Sequence, residues 1–195
     1  MTLESSLETK SARLINKHEV VRTLADAAQV STLIKSLGDK IKADCPDLSQ
    51  LVLIGIHTGG AHIAHRIKFY LLDSNVEVLT GEIDITLYRD DLFDGLPRPH
   101  VGMTRLPCSM EGKWVVLIDD VLYTGRTIRS ALYELMDFGR ALCVRLAVLV
   151  DRGHRELPIC ADYFGLKTDA GQDETVRVRL LESGGQDEIV LLKRG

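Results

Sequence analysis

Two adjacent carboxylates, Asp119 and Asp120, stand directly before the polar stretch Val121-Leu122-Tyr123-Thr124-Gly125-Arg126-Thr127. Ionised carboxylates accept hydrogen bonds and donate none, so the pair suits hydroxyl donors or a bound cation, not phosphate itself. The stretch after them suits phosphate. Gly125 permits close backbone approach, and Thr124 and Thr127 offer hydroxyl donors. A helix starting there would turn its free amides and positive dipole end toward an anion. Acids followed by an anion cradle describe a sugar phosphate whose hydroxyls face the acids. The spacing is neither that of a Walker loop nor that of a dinucleotide-binding glycine motif.

These residues need elements to position them. Val115-Val116-Leu117-Ile118 is a continuous apolar run, as expected of a parallel strand covered on both faces, so the acids fall at its C-terminal end. Beyond the loop, Ile128, Ala131, Leu132, Leu135 and Phe138 recur at helical spacing, and Gly139 stands where a C-terminal cap would. A second unit of the same kind precedes this one. Leu51 to Ile56 reads as a buried strand, His57-Thr58-Gly59-Gly60 as a turn, and Ile63, Ala64, Ile67 and Leu71 as one face of a helix. That layout also suits an anion. Taken alone, however, Thr58-Gly59-Gly60 reads more readily as an ordinary tight turn.

The remaining pattern frames these two units. Asp26 is placed to cap a helix reaching about Ala43, with Val30, Leu33, Ile34, Leu37 and Ile41 as its apolar stripe. Alternation from Val76 to Tyr88 predicts a strand. Arg89-Asp90-Asp91 then enters a Pro- and Gly-rich loop, about 88–112, long enough to be a lid. Ala141 to Val150 predicts the next strand, with Asp151-Arg152-Gly153-His154-Arg155 at its C-terminal end, where open parallel sheets collect ligands. Tyr163 and Phe164 could flank a flat base or simply fill a core. Two short strands, Thr175 to Leu181 and Glu188 to Leu192, close the chain. With no repeat or linker, residues 1–195 form a single domain, and Met1 to Ser11 reads as a loose tail.

Composition narrows the class of partner. At 195 residues, 45% hydrophobic and 27% charged, the chain has the makeup of an ordinary globular domain. Its net charge of −4 gives no overall field favouring nucleic acid, although a local basic face is compatible with it. Cys45, Cys108, Cys143 and Cys160 are scattered with no Cys-x-x-Cys pair, which points to free thiols and a cytoplasmic setting. No signal peptide is evident, and no apolar run reaches the ~18 residues that cross a bilayer, so no membrane partner is expected.

The apolar strand, paired acids and Thr-Gly-x-Thr together resemble the phosphoribosyl-diphosphate (PRPP) signature of type I phosphoribosyltransferases. Two further stretches, Gly81 to Asp91 and Leu146 to Pro158, extend the likeness over about Leu51 to Leu181. They are similar to the family of pyrimidine-operon regulators that also act as uracil phosphoribosyltransferases. The resemblance implies a central parallel sheet flanked by helices under a small hood. It also implies the reaction of uracil with PRPP to give UMP and diphosphate. On that reading Asp119 and Asp120 are catalytic and hold the ribose hydroxyls, with Mg2+ carried mainly by substrate oxygens. Val121, Leu122, Tyr123, Thr124, Gly125, Arg126 and Thr127 cradle the 5′-phosphate. Thr58 and Gly59 belong to the diphosphate loop, and Arg89 reaches the phosphates from the lid. Arg152 lies near the nucleotide, Val176 near the base, and Tyr163 and Phe164 are base-pocket candidates.

The resemblance further implies sensing of UMP or UTP, assembly as a homodimer or larger homo-oligomer, and binding of pyrimidine-operon leader RNA through His154 and Arg155. The chain departs from the pattern at two places. Gly59 stands where the family usually carries arginine, which removes a charge-assisted donor to diphosphate. Lys35, Ser36 and Asp39 fall where RNA-binding members carry Thr, Arg and His, and Asp39 would repel an RNA backbone. Three readings therefore stand side by side: a working enzyme, a nucleotide-sensing attenuator with weak catalysis, and an idle nucleotide-binding regulator.

Overall fold

The computed structural model describes residues 19–72, 77–85 and 104–193. Arg89, the tail Met1 to Ser11 and most of the expected lid lie outside the described residues.

The first strand, β1 (Val20–Ala25), leads into helix α1 (Ala27–Asp44). Asp26 starts that helix through a reciprocal cap: its carboxylate accepts from the Gln29 amide while the Gln29 side chain accepts from the Asp26 amide, both at 2.9 Å. The expected stripe then turns inward, with Val30, Ile34, Leu37 and Ile41 fully buried. Strand β2 (Leu51–Ile56) feeds helix α2 (Gly59–Leu71), and β3 (Leu79–Ile83) follows. Next come β4 (Trp114–Leu122), α3 (Arg126–Leu135) and β5 (Cys143–Asp151). The chain ends with β6 (Tyr163–Lys167), β7 (Glu174–Arg179) and β8 (Glu188–Lys193).

Five strands form a parallel sheet in the order β3-β2-β4-β5-β6. The apolar runs read from sequence are its interior strands, and all six residues of β2 are buried. Alternate side chains go to opposite faces. Leu51, Leu53, Val116, Ile118, Ala147 and Leu149 join α1 and α2 in one core. Val52, Ile54, Val115, Leu117, Leu146 and Val148 join α3 in the other. Helices on both faces make this a doubly wound α/β fold, as the strand–helix alternation predicts.

The second sheet is the hood. Strands β1, β8 and β7 pair antiparallel in that order. Its terminal strands were expected, but β1 was not: the stretch VVRTLA is exposed over its first four residues and shows no clean alternation. Its pairing is with β8, far away in sequence.

Candidate active site

Strand order reverses at β2, whose neighbours are β3 on one side and β4 on the other. At such a switch point the following loops part and leave a crevice at the carboxyl ends of the strands. A cavity of about 830 Å3 lies there, lined by the ends of β2 and β4, by Arg152 after β5, and by the β7 face of the hood. Both strand–turn–helix units read from sequence open into it.

Asp119 is buried at 6% exposure, and its Oδ1 accepts the Asp120 amide at 2.9 Å. Asp120 lies half-buried at the cavity wall, with Oδ1 2.7 Å from the Val121 amide. Beyond them the carbonyls of the loop are held by neighbouring donors. The Leu122 carbonyl accepts from the Arg152 amide at 3.0 Å and from Arg155 Nη1 at 3.1 Å. The Tyr123 carbonyl accepts from Arg155 Nη1 at 2.8 Å, and that of Thr124 accepts the amides of Glu156 and Leu157 at 3.0 and 3.1 Å. Carbonyls engaged by protein donors in this way are not left free toward a ligand, and the amides and hydroxyls of the loop are what an anion requires. Gly125, at φ +95°, turns the chain into α3 in a conformation that other residues resist. First-turn amides of a helix have no intrahelical acceptor; Thr124 Oγ1 takes that of Arg126 at 3.3 Å. Arg126 itself reaches Glu156 across the loop mouth at 2.8 Å.

The diphosphate-loop candidates face this arrangement directly. Thr58 precedes α2, and its Oγ1 lies 3.1 Å from His57 Nδ1. A Cβ at Gly60 would stand 2.2 Å from the Ile118 carbonyl oxygen, so only glycine lets α2 start against the end of β4. A Cβ at Gly59 would stand 2.6 Å from Asp120 Oδ2. The absence of a side chain at Gly59 and the position of the Asp120 carboxylate are thus linked, because Asp120 fills the space beside Gly59.

Arg152 is 2% exposed and ties the site to the hood. Its Nη2 donates to the carbonyls of Gly171 and Glu174 at 3.0 and 2.8 Å, and its guanidinium lies 3.8 Å from the Tyr123 ring centroid. Nε and Nη1 meet no acceptor among the described residues. Val176 lines the cavity from β7.

Three expectations are placed elsewhere. Tyr163 turns into the core beneath α1, where its hydroxyl donates to Asp44 Oδ2, and burial and then that hydrogen bond push its ionisation well above the usual phenol range. Phe164 lies under the cations of Lys40 and Lys167, at 5.3 and 4.4 Å. Neither ring lines the cavity, because β6 is an edge strand one place beyond β5. Arg155 spends its guanidinium on four carbonyls and on Asp151, so it braces the loop and is not displayed on the surface. His154 is exposed, 2.8 Å from Asp169.

Among the described residues no three His, Cys, Asp or Glu side chains converge as a metal cluster. Two oxygen-bearing acids at a cavity wall still suit a hard dication that brings most of its shell as water and substrate oxygens. No helix among the described residues is long and apolar enough to cross a membrane.

Fold, switch-point cavity and acid-then-cradle loop define the type I phosphoribosyltransferase class. The phosphoribosyl transferase domain family matches residues 21–181. Solved structures agree on the fold. The hypoxanthine phosphoribosyltransferase of Trypanosoma cruzi superposes with a TM-score of 0.67 at 22% identity, covering 90% of this chain and 98% of that one. A hypoxanthine phosphoribosyltransferase from Staphylococcus aureus gives 0.65 at 22% identity, covering 89% and 93%.

Within that class the chain belongs to the family of bifunctional PyrR proteins. The bifunctional protein PyrR of Thermus thermophilus is 51% identical over 145 residues, 74% of this chain and 80% of its own. That of Elusimicrobium minutum is 42% identical over 191 residues, 97% of this chain and 92% of its own.

Proposed function

We propose that this protein transfers a phosphoribosyl group from PRPP to uracil, giving UMP and diphosphate, and that it regulates pyrimidine nucleotide synthesis by sensing uridine nucleotides at the same site. The observation that carries the reading is the meeting of three parts in one cavity: the Asp119–Asp120 pair, the Val121–Thr127 loop and the Thr58–Gly59 turn. Membership of a family whose relatives are named bifunctional favours this over an idle nucleotide-binding regulator.

In this mechanism the loop seats the 5′-phosphate on amides and hydroxyls, which fixes the sugar and removes most of the entropy of encounter. Asp119 and Asp120 accept hydrogen bonds from the ribose hydroxyls. Their negative charge offsets the positive charge that develops at the anomeric carbon as the bond to diphosphate lengthens. No covalent bond to the protein is needed. The Thr58–Gly59 turn sits at the start of α2, where amides receive the departing diphosphate. When Mg2+ is bound with the substrate, held in part by Asp119 and Asp120, it supplies Lewis-acid neutralisation of the leaving group. The hood face around Val176 encloses the base.

Leader RNA is the expected regulatory partner, and its expected contacts are uneven. His154 is exposed, whereas Lys35 is paired with Asp39 at 2.9 Å on the surface of α1. Labelled uracil incubated with PRPP and Mg2+ should become UMP. No conversion, while UMP still raises the melting temperature, would leave a sensor without the enzyme.

A further inference from the structure

The catalytic parts account for most charged groups around the cavity. They leave unused an ionic cluster of four charge-assisted bonds, which joins the hood to α2. Arg66 projects from α2 and holds two carboxylates at once. Its Nε and Nη2 donate to the Glu182 oxygens at 2.8 and 2.5 Å, and its Nη1 and Nη2 donate to the Asp187 oxygens at 2.5 and 2.8 Å. Asp187 Oδ1 also accepts the Leu181 amide at 2.9 Å. The cluster is poorly exposed, with the Arg66 side chain at 19% and that of Asp187 at 10%. Pairing with Arg66 holds both carboxyls below their usual range, and the two acids raise the guanidinium further.

Position gives this cluster its meaning. Arg66 lies seven residues, about 10 Å, along the helix that begins at Gly59 of the proposed diphosphate loop. Glu182 sits in a short 3-10 turn, Leu181–Ser183, directly after β7. Its neighbours Leu180 and Ser183 line the substrate cavity together with Val176 and Val178 of β7. One guanidinium therefore fixes the separation between the wall that receives diphosphate and the wall that covers the base. A fork held by four charge-assisted bonds is rigid in a way that an apolar contact is not.

We infer that Arg66 is a positioning residue for catalysis, and that its fork to Glu182 and Asp187 sets the width of the substrate cavity by docking the hood turn on α2. It touches no substrate; it acts through Leu180, Ser183 and the β7 wall. The inference rests on the uracil phosphoribosyltransferase reading for its kinetic consequences, but not for its structural ones.

The test compares wild type with Arg66→Met, Arg66→Lys and the milder Glu182→Gln, whose single lost carboxylate keeps the fold if Arg66→Met does not. The expected result is a rise in KM for PRPP and in the Kd for UMP of about 10-fold in Arg66→Met, with kcat within about 3-fold. Glu182→Gln should show a smaller rise of the same kind, and Arg66→Lys should recover part of the loss because it keeps the charge without the fork. Amide exchange in residues 180–188 should quicken in the same order. Unchanged KM and Kd in both Glu182→Gln and a folded Arg66→Met would overturn the inference. A wild type that makes no UMP would instead overturn the activity reading. The clamp would then be judged on UMP affinity and amide exchange, and unaltered values there would overturn it too.

Discussion

Asp120 and Gly59 show what single residues decide here. The acids were legible because chemistry and sequence coincide: they follow an apolar run at the end of a central strand. Their relation to Gly59 was not legible. Sequence shows only a glycine where the family pattern has a guanidinium, whereas the folded chain puts Asp120 Oδ2 within 2.6 Å of where a Cβ would stand. Gly59→Ala should therefore push the carboxylate aside and lower kcat by about 10-fold or more, since misplacement on the ångström scale is costly in an enclosed site. Steady-state kinetics check this; an alanine variant with wild-type kcat would contradict the contact. Tyr163 makes the opposite point. An aromatic beside a charged strand end reads equally as base stacker or core, and burial decides for core. Tyr163→Phe should cost about 1 kcal/mol of stability through the lost bond to Asp44 and leave uracil turnover unchanged. Thermal melts and an activity assay settle both halves.

Elements account for the next layer. Helices α1, α2 and α3 and the central strands were readable from periodicity, because each buries an apolar face or run. Strand β1 was not, since its exposed residues carry no such signal and its order comes from pairing with β8. The arginine braces escaped notice for a related reason. The resemblance points Arg155 toward RNA and nothing in the sequence marks Arg66, and only the fold supplies the carbonyls and carboxylates that enclose them. The clamp carries a pH signature whose sign is fixed. Glu182 and Asp187 have depressed ionisation in the folded state, with Arg66 the largest cause and His62 a lesser influence on Glu182. The stability they contribute is present above the unfolded carboxylate range, about pH 4, and is lost as pH falls through the folded values. Melting temperature should thus drop on acidification, and less steeply in Arg66→Met than in wild type. Equal slopes would show that the pair is not linked to Arg66.

At the scale of the whole molecule, topology does the assembling. The order β3-β2-β4-β5-β6 parts the loops after β2 and β4, and those are the two loops whose residue types suit diphosphate and sugar phosphate. Sequence could announce each loop but not that Asp120 of one would lie against Gly59 of the other, leaving no room for a Cβ there. The hood then walls the cavity through β7, and the Arg66 fork ties the turn after β7 to α2. The central claim is that this cavity performs phosphoribosyl transfer with Asp120 at its heart. Conversion of labelled uracil to UMP by wild type and by Asp120→Asn, side by side with PRPP and Mg2+, tests it most directly. Clear turnover is expected in wild type and a loss of about 100-fold or more in the variant, with an unchanged melting temperature. Equal turnover in the two proteins would contradict it.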